Sequence, residues 1–350
     1  MEYISFDTHK FYTLVEREDA HSRRTRHCRL EHAPGAVRQY LRGVRPGTAV
    51  AVEATGNWYW VVEEIEQAGL VPKLVHPRKA KLMMGLINKT DKLDVHGLNV
   101  LQRNGTLPTV WIPPGELRDL RELTRTRQVM VQQCTRLKNR IQSTLNKYGL
   151  LMGEFSDPYG KKARSRLQEL VKQLPEQTVY VTSLLLEQLD FVSTQLVEQD
   201  TRLKKLVKMT PEMELLMSIP GIGFILAAVI ALEVGDIARF PSAQHLASYS
   251  GTTPRVHSSG DKTRYGRLRP DVDRYLKWAF VEAANSICLN HRRSPCRHVS
   301  QLYKRVRDRK GHPKAIGAVA RHLAEASFHV LSRKEAYRDP VLAKGQSKAV

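Results

Sequence analysis

The order of apolar and polar positions divides the chain into three stretches with different rhythms. In the first, short β-prone runs alternate with helical segments. Residues 3–7 (Tyr-Ile-Ser-Phe-Asp) read as a strand ending in an acid, and 11–16 and 25–30 as two more around the polar segment 17–24. A helix over 34–41 stops at Gly43 and Pro46. Residues 49–53 (Ala-Val-Ala-Val-Glu) are apolar enough for a buried strand, again with an acid at its end. A turn at 54–57 enters an apolar-periodic helix over 58–68; a strand at 70–75 follows, and His76-Pro77 leads into a basic helix from Arg78. This alternation predicts an α/β domain with a partly parallel sheet over residues 1–110.

From 115 to about 151 the pattern becomes helical and highly charged. Leu117, Leu120, Val131, Cys134, Ile141 and Leu145 form a one-sided stripe that Thr124 and Arg127 interrupt. A cleaner seam, Leu185, Leu189, Val192, Leu196, Leu203 and Val207, keeps steps of three, four and seven residues. Residues 157–175 leave room only for a short helix and turns. Two long helices pairing antiparallel, within one subunit or across an oligomer, are the simplest arrangement for a helical coiled-coil linker over 111–210 that carries no chemistry.

A third composition covers 211–335. Leu216-Met-Ser-Ile-Pro-Gly-Ile-Gly223 precedes an apolar helix at 224–234, which is the helix-hairpin-helix pattern. Gly221 and Gly223 would let backbone N–H groups approach a phosphate at a helix N-terminus; a plain Pro-Gly turn is the alternative. Residues 246–269 are rich in Ser, Thr, Gly and Arg and lack helical periodicity, predicting a long functional loop. Helices at 272–288, 296–309 and 313–332 complete a mostly helical domain, and 336–350 reads as a disordered tail.

Charge then narrows the partner. Lys and Arg number 56 against 35 acids, a net +21 over 350 residues, which favours a polyanion and nucleic acid first. The N-terminus lacks the basic segment and apolar run of a signal peptide, and 224–232 is too short to span a bilayer. A soluble cytoplasmic protein with no membrane partner is expected. Four scattered cysteines fit reduced thiols, and the spacing of Cys288, His291, Cys296 and His298 is too tight at its end for an ordinary zinc site.

Asp91 and Asp94 supply the sharpest chemical signal. Three residues apart on a helix, they point into the same space. Acids held that close repel unless a proton or a cation neutralises them, and magnesium prefers such oxygen ligands; a solvated helix face with two ordinary acids is the alternative. Asp7 and Glu53 stand at strand ends, where open α/β sheets bind ligands. In the basic loop, Ser258 and Ser259 sit among Arg255, His257, Lys262, Arg264, Arg267 and Arg269. Those cations could hold a phosphodiester while a hydroxyl attacks it, or the serine could merely hydrogen-bond a phosphate.

With Asp7, Glu53, Asp91 and Asp94 in that order, the chain resembles the DEDD family of insertion-sequence transposases. That family includes the Piv-type invertases and the bridge-RNA-guided recombinases. The matching segments are Phe6-Asp-Thr-His-Lys10, Val52-Glu-Ala-Thr-Gly56, Asn88-Lys-Thr-Asp-Lys-Leu-Asp-Val-His-Gly-Leu98, Ile219-Pro-Gly-Ile-Gly223, Phe240-Pro-Ser-Ala-Gln-His-Leu-Ala247 and Pro254-Arg-Val-His-Ser-Ser-Gly260, across about residues 3 to 330. The resemblance implies an RNase H/RuvC-like N-terminal domain, a coiled-coil linker and a C-terminal transposase domain. It further implies magnesium held by the four acids, and a serine that attacks DNA to form a phosphoserine intermediate. Ser259 is the first candidate, Ser258 the second, and Ser250 a distant third because its Ser-Gly stands where Leu-Gly is usual. DNA, a structured guide RNA and a homo-oligomer (dimer or tetramer) are the implied partners. Asp261 and Arg269-Pro-Asp-Val272 depart from the family's usual small residue and basic-Gly-Asn turn. Two other readings of the same residues are a Holliday-junction resolvase-like nuclease using only the four acids, and a non-catalytic basic DNA-binding protein.

Overall fold

Three β-prone runs joined by short turns pair antiparallel: β1 (Glu2–Thr8), β2 (Tyr12–Asp19) and β3 (Thr25–Glu31). After α1 (Ala36–Tyr40), the apolar β4 (Ala49–Glu53) adds parallel to the free edge of β1. Next come α2 (Trp58–Gln67) and a second parallel strand, β5 (Val71–Val75), giving the sheet order β3-β2-β1-β4-β5. Two helices follow, α3 (Pro77–Met84) and α4 (Asp91–Arg103). In this computed structural model residues 2–85, 90–153, 155, 157–268 and 272–340 are described, and the chain divides into two units at Pro113/Pro114. The partly parallel α/β sheet expected from the sequence is present.

Period-two alternation splits the side chains of the sheet between two helical layers. Ile4, Phe6, Val50 and Val52 pack with Val37 of α1, Leu41 just after it, and Val61 and Ile65 of α2. Ser5, Ala51 and Val75 belong to the opposite face, where Ala80, Leu98 and Leu101 of α3 and α4 pack. Each fully buried Val, Leu, Ile or Phe side chain among them contributes about 1.5–3 kcal/mol. The second strand runs three residues past its expected end at Glu16, because the acids that read as its boundary are buried. Glu16 and Glu18 are 0% and 1% exposed; Asn99 donates to Glu16 at 2.9 Å, and Arg103 to Glu18 at 2.7 Å. These pairs, with Ser5 Oγ donating to Val95 O at 2.8 Å, fasten α4 across the sheet.

The second unit begins with α5 (Gly115–Lys147), α6 (Arg164–Lys172) and α7 (Glu176–Leu206). The long helices α5 and α7 pair antiparallel within one chain: Gln199 donates to Leu123 O, Arg127 pairs with Asp200, and Tyr148 meets Thr178. Ile141, Leu145, Leu167 and Leu189 fill the seam toward the far end of this hairpin. Thr124, expected to interrupt the stripe, is itself buried along with Arg118, Arg121 and Gln128. The near end of α5 thus buries a polar face, which apolar periodicity does not register.

The remaining helices are α8 (Pro211–Met217), α9 (Phe224–Val234), α10 (Ala243–Tyr249), α11 (Arg274–Asn290), α12 (His298–Lys310) and α13 (His312–Arg333), with strands β6 (Pro254–Ser259) and β7 (Lys262–Leu268) between α10 and α11. Leu276, Phe280 and Ala283 of α11, Ala227 and Ile230 of α9, and Val319 and Leu323 of α13 share one core. Gly221, between α8 and α9, has φ +82°, and a Cβ there would lie 2.6 Å from the Ala283 carbonyl. Its identity is therefore fixed by packing against α11. Among the described residues no helix is long and apolar enough to cross a membrane. Of the expected tail, 341–350 lie outside the described residues.

Candidate active site

Two local arrangements carry the candidate chemistry, one in each unit. In the first, Asp7 is the penultimate residue of the central strand β1 and only 6% exposed. The β1–β4 register pairs Phe6 with Val52, so the next pair in register is Asp7 with Glu53. By alternation both belong to the face that carries Ser5 and Ala51, the face α4 covers. Thr90 caps α4, its hydroxyl accepting from the Leu93 N–H at 3.3 Å, and Asp91 and Asp94 fill the first turn, where helix polarity favours acids. Of the segment leading to this cap, Asn88 and Lys89 lie outside the described residues.

Asp7, His9 and Asp91 come together: one ligand atom from each lies within 4.8 Å of the others. His9 Nε2 is 3.3 Å from Asp7 Oδ2 and 3.2 Å from Asp91 Oδ2. The Tyr12 hydroxyl donates to Asp91 Oδ2 at 3.3 Å, and Tyr12 packs against the His9 ring at 4.6 Å between centroids. Desolvation, and then the Asp91 carboxylate, push the Tyr12 phenol up. Asn57 Nδ2 donates to the His9 carbonyl at 2.7 Å, tying the turn after β4 to the turn after β1. Glu53 and the half-buried Asp94 stand outside this group of three. Among the described residues no other His, Cys, Asp or Glu set meets the same criterion, Cys288, His291, Cys296 and His298 included.

In the second unit, the stretch expected as a loop is a β-hairpin, β6–β7, turning at Gly260 with φ +57°. Its two faces are both polar enough to be exposed, so no apolar alternation marks it in the sequence. Register pairs His257 with Arg264, Ser258 with Thr263 and Ser259 with Lys262. Cross-strand partners share a face and neighbours along a strand do not. Ser259 thus lies on the face of Lys262, Arg264 and His257. Ser258 lies on the other, with Thr263 (hydroxyls 3.3 Å apart), Val256 and Tyr265. Ser250 is fully buried, its hydroxyl donating to Ala247 O at 3.0 Å. Arg255 and Arg267 are also on the hairpin, Gly223 is the exposed residue before α9, and Arg269 lies outside the described residues.

Comparison with known proteins meets these arrangements at both ends of the chain. A DEDD transposase model of IS110-type elements matches residues 7–150, and the model described as "Transposase IS116/IS110/IS902 family" matches 213–300. The chain belongs to this family of DEDD insertion-sequence transposases. It is 25% identical over 322 residues to a probable family 20 transposase of Pseudomonas aeruginosa, covering 89% of this chain and 91% of the relative. It is 26% identical over 299 residues to the transposase for insertion sequence element IS1111A of Coxiella burnetii, covering 83% and 79%. The pilin gene-inverting protein of Moraxella bovis is 28% identical over 223 residues, covering 60% and 57%. The chain is accordingly a DNA transposase/recombinase enzyme.

In this transposase the serine hairpin is held at its root by a buried charged cluster. The Asp273 N–H donates to Tyr249 O at 3.0 Å, and a Cβ on Gly251 (φ +67°) would lie 2.4 Å from Val272, so glycine is needed where the two ends of the hairpin meet. Asp273 Oδ1 accepts from the N–H groups of Tyr275 and Leu276, capping α11. Beside it Glu233, 0% exposed, accepts from Arg125 at 2.7 and 2.9 Å, while Arg121 donates to the carbonyls of Leu232 and Glu233. Burial, and then the nearby Glu233 charge, push the Asp273 carboxyl up to about 6.

A raised folded-state value means that the stability Asp273 contributes is complete below its unfolded value near 4 and is lost as pH rises through about 6. Asp273→Asn keeps a helix-capping oxygen without the charge. It is expected to raise stability at pH 8 by about 1–3 kcal/mol and to change little at pH 4, as read from urea unfolding at both pH values.

The sequence pattern did not single out His9, Tyr12 or Asn57 as members of the first site. Only the Asp-x-His spacing at the end of a strand could have marked His9. Tyr12 and Asn57 enter through the pairing of β1 with β2 and with β4, which no local motif encodes.

Proposed function

We propose that this transposase breaks and rejoins DNA at the ends of its insertion sequence, using a divalent ion held by the acids of the first unit and Ser259 of the second. The observation that carries the reading is the convergence of Asp7 and Asp91, 84 positions apart in the chain, in a DEDD transposase. Two carboxylates and an imidazole are a donor set that fits a divalent ion. Glu53, next in register to Asp7, and Asp94, one turn along α4, are the further acids in reach of the same face. A sheet of order β3-β2-β1-β4-β5 with acids at the ends of β1 and β4 supports an RNase H/RuvC-like description of this unit. Magnesium bound there would stabilise charge on a phosphodiester.

Ser259 is the nucleophile in this reading. Its Oγ forms a bond to phosphorus, the bond from phosphorus to the 3′ oxygen breaks, and the 5′ end stays on the protein as a phosphoserine. The serine proton leaves to a base and the departing 3′ oxygen gains one, so the exchange is reversible and rejoining can follow. Lys262 and Arg264, on the face of Ser259, would stabilise the negative charge that develops on the phosphoryl oxygens. With Arg255, His257 and Arg267, and with the backbone at Gly221 and Gly223, they would grip phosphates without reading bases.

The net +21 charge suits both DNA and the structured guide RNA that would supply sequence choice by base pairing. The exposed Tyr180, Leu184 and Phe191 of α7, at steps of four and seven residues, give a coiled-coil-like stripe for a homo-oligomer working in the cytoplasm. The test is to incubate the protein with end-labelled element DNA, the element's non-coding RNA and magnesium. A DNA-linked protein band that needs the ion is expected. Ion-dependent cleavage with no linked protein would point instead to a junction-resolving nuclease using only the acids.

A further inference from the structure

We infer that His9 is itself a ligand of the divalent ion, which makes the centre a mixed nitrogen–oxygen site that favours first-row transition ions over magnesium. This rests on the metal reading above and adds a residue and an ion preference to it. Donors at right angles on an ion with bonds of about 2.1 Å lie about 3 Å apart. The separations of His9 Nε2 from Asp7 Oδ2 and Asp91 Oδ2, 3.3 and 3.2 Å, have that spacing. Each carboxylate oxygen thus already stands at neighbour spacing from the imidazole nitrogen, and all three atoms lie within 4.8 Å of one another.

The environment of the ring agrees. Nε2 is shielded from solvent yet hydrogen-bonded to neither carboxylate, so it approaches both without the alignment of a hydrogen bond. The residue is fixed from two other sides: Asn57 holds its carbonyl and Tyr12 lies against its ring. Tyr12 also donates to Asp91, so one side chain sets the position of two ligands. Such supporting contacts are what orient ligands in metal sites. Imidazole nitrogen suits transition ions, whereas magnesium takes oxygen and sheds its waters reluctantly.

The experiment is manganese binding to the full-length, tag-free protein, measured by calorimetry and by pulsed paramagnetic resonance for nitrogen coupling. The wild type is expected to bind Mn2+ more tightly than Mg2+ and to show nitrogen coupling that Asp7→Asn removes. His9→Ala is expected to lose the coupling and to weaken Mn2+ binding by about tenfold or more, with a smaller effect on Mg2+. Mn2+ bound in an Asp7-dependent way without nitrogen coupling in the wild type overturns the role of His9 and leaves the acidic centre standing. No Mn2+ binding at all overturns both. The wild-type spectrum decides the question even if His9→Ala fails to fold.

Discussion

Replacing Asp7 by asparagine is expected to lower DNA strand cleavage by about a thousandfold or more while leaving the N-terminal unit folded. A bound ion contributes several kcal/mol of charge stabilisation to phosphoryl transfer, and each 1.4 kcal/mol or so is tenfold in rate. In the proposed mechanism Asp7 is the acid placed to hold that ion, because it is buried at the end of the central strand, with His9 Nε2 3.3 Å away. Asparagine has the same shape and hydrogen-bonding reach but no charge, so packing around β1 is kept. Removing one of two neighbouring negative charges also relieves repulsion in the ion-free protein. Thermal unfolding is therefore expected to stay within a few degrees of wild type. Single-turnover cleavage of element DNA measures the first effect and circular dichroism the second. Loss of activity together with loss of the fold would mean that Asp7 is structural.

Ser259→Ala carries the second large effect. In the proposed mechanism this hydroxyl is the atom that takes the phosphoryl group, so without it the protein-linked DNA product is expected to fall by roughly three orders of magnitude or more. Ser258→Ala is expected to retain it within about threefold, because Ser258 lies on the opposite face of the hairpin with Thr263. Both residues are exposed near the tip of a two-stranded hairpin, so neither change disturbs a core. Denaturing gels of labelled DNA, followed by mass spectrometry of the linked peptide, separate the two. A linked peptide carrying the modification on Ser258 would reverse the assignment.

Much of the fold was legible in the sequence where one physical period ruled a segment. The apolar run of β4 and the seam of α7 are such places, and there the strand and the helix stand close to where the pattern set them. Legibility failed where polar groups are buried in pairs. Glu16 and Glu18 in β2, and Arg121 and Thr124 in α5, look like solvated positions but lie inside, and only partners distant in sequence reveal this. The β6–β7 hairpin escaped for the opposite reason, since with both faces in solvent its alternation carries no hydrophobic signal. At the acidic site the chain announced its carboxylates by spacing and strand ends. What it left unsaid was which of them meet, because that depends on how the Ser5, Glu16 and Glu18 contacts place α4 across the sheet.

Anomalous X-ray scattering from crystals grown with Mn2+ tests the acidic centre most directly. The expected result is an ion peak within bonding distance of the carboxylates of both Asp7 and Asp91. A well-ordered crystal at saturating Mn2+ with no peak there, or with its ions bound only elsewhere, would contradict a metal-dependent centre on this face of the sheet.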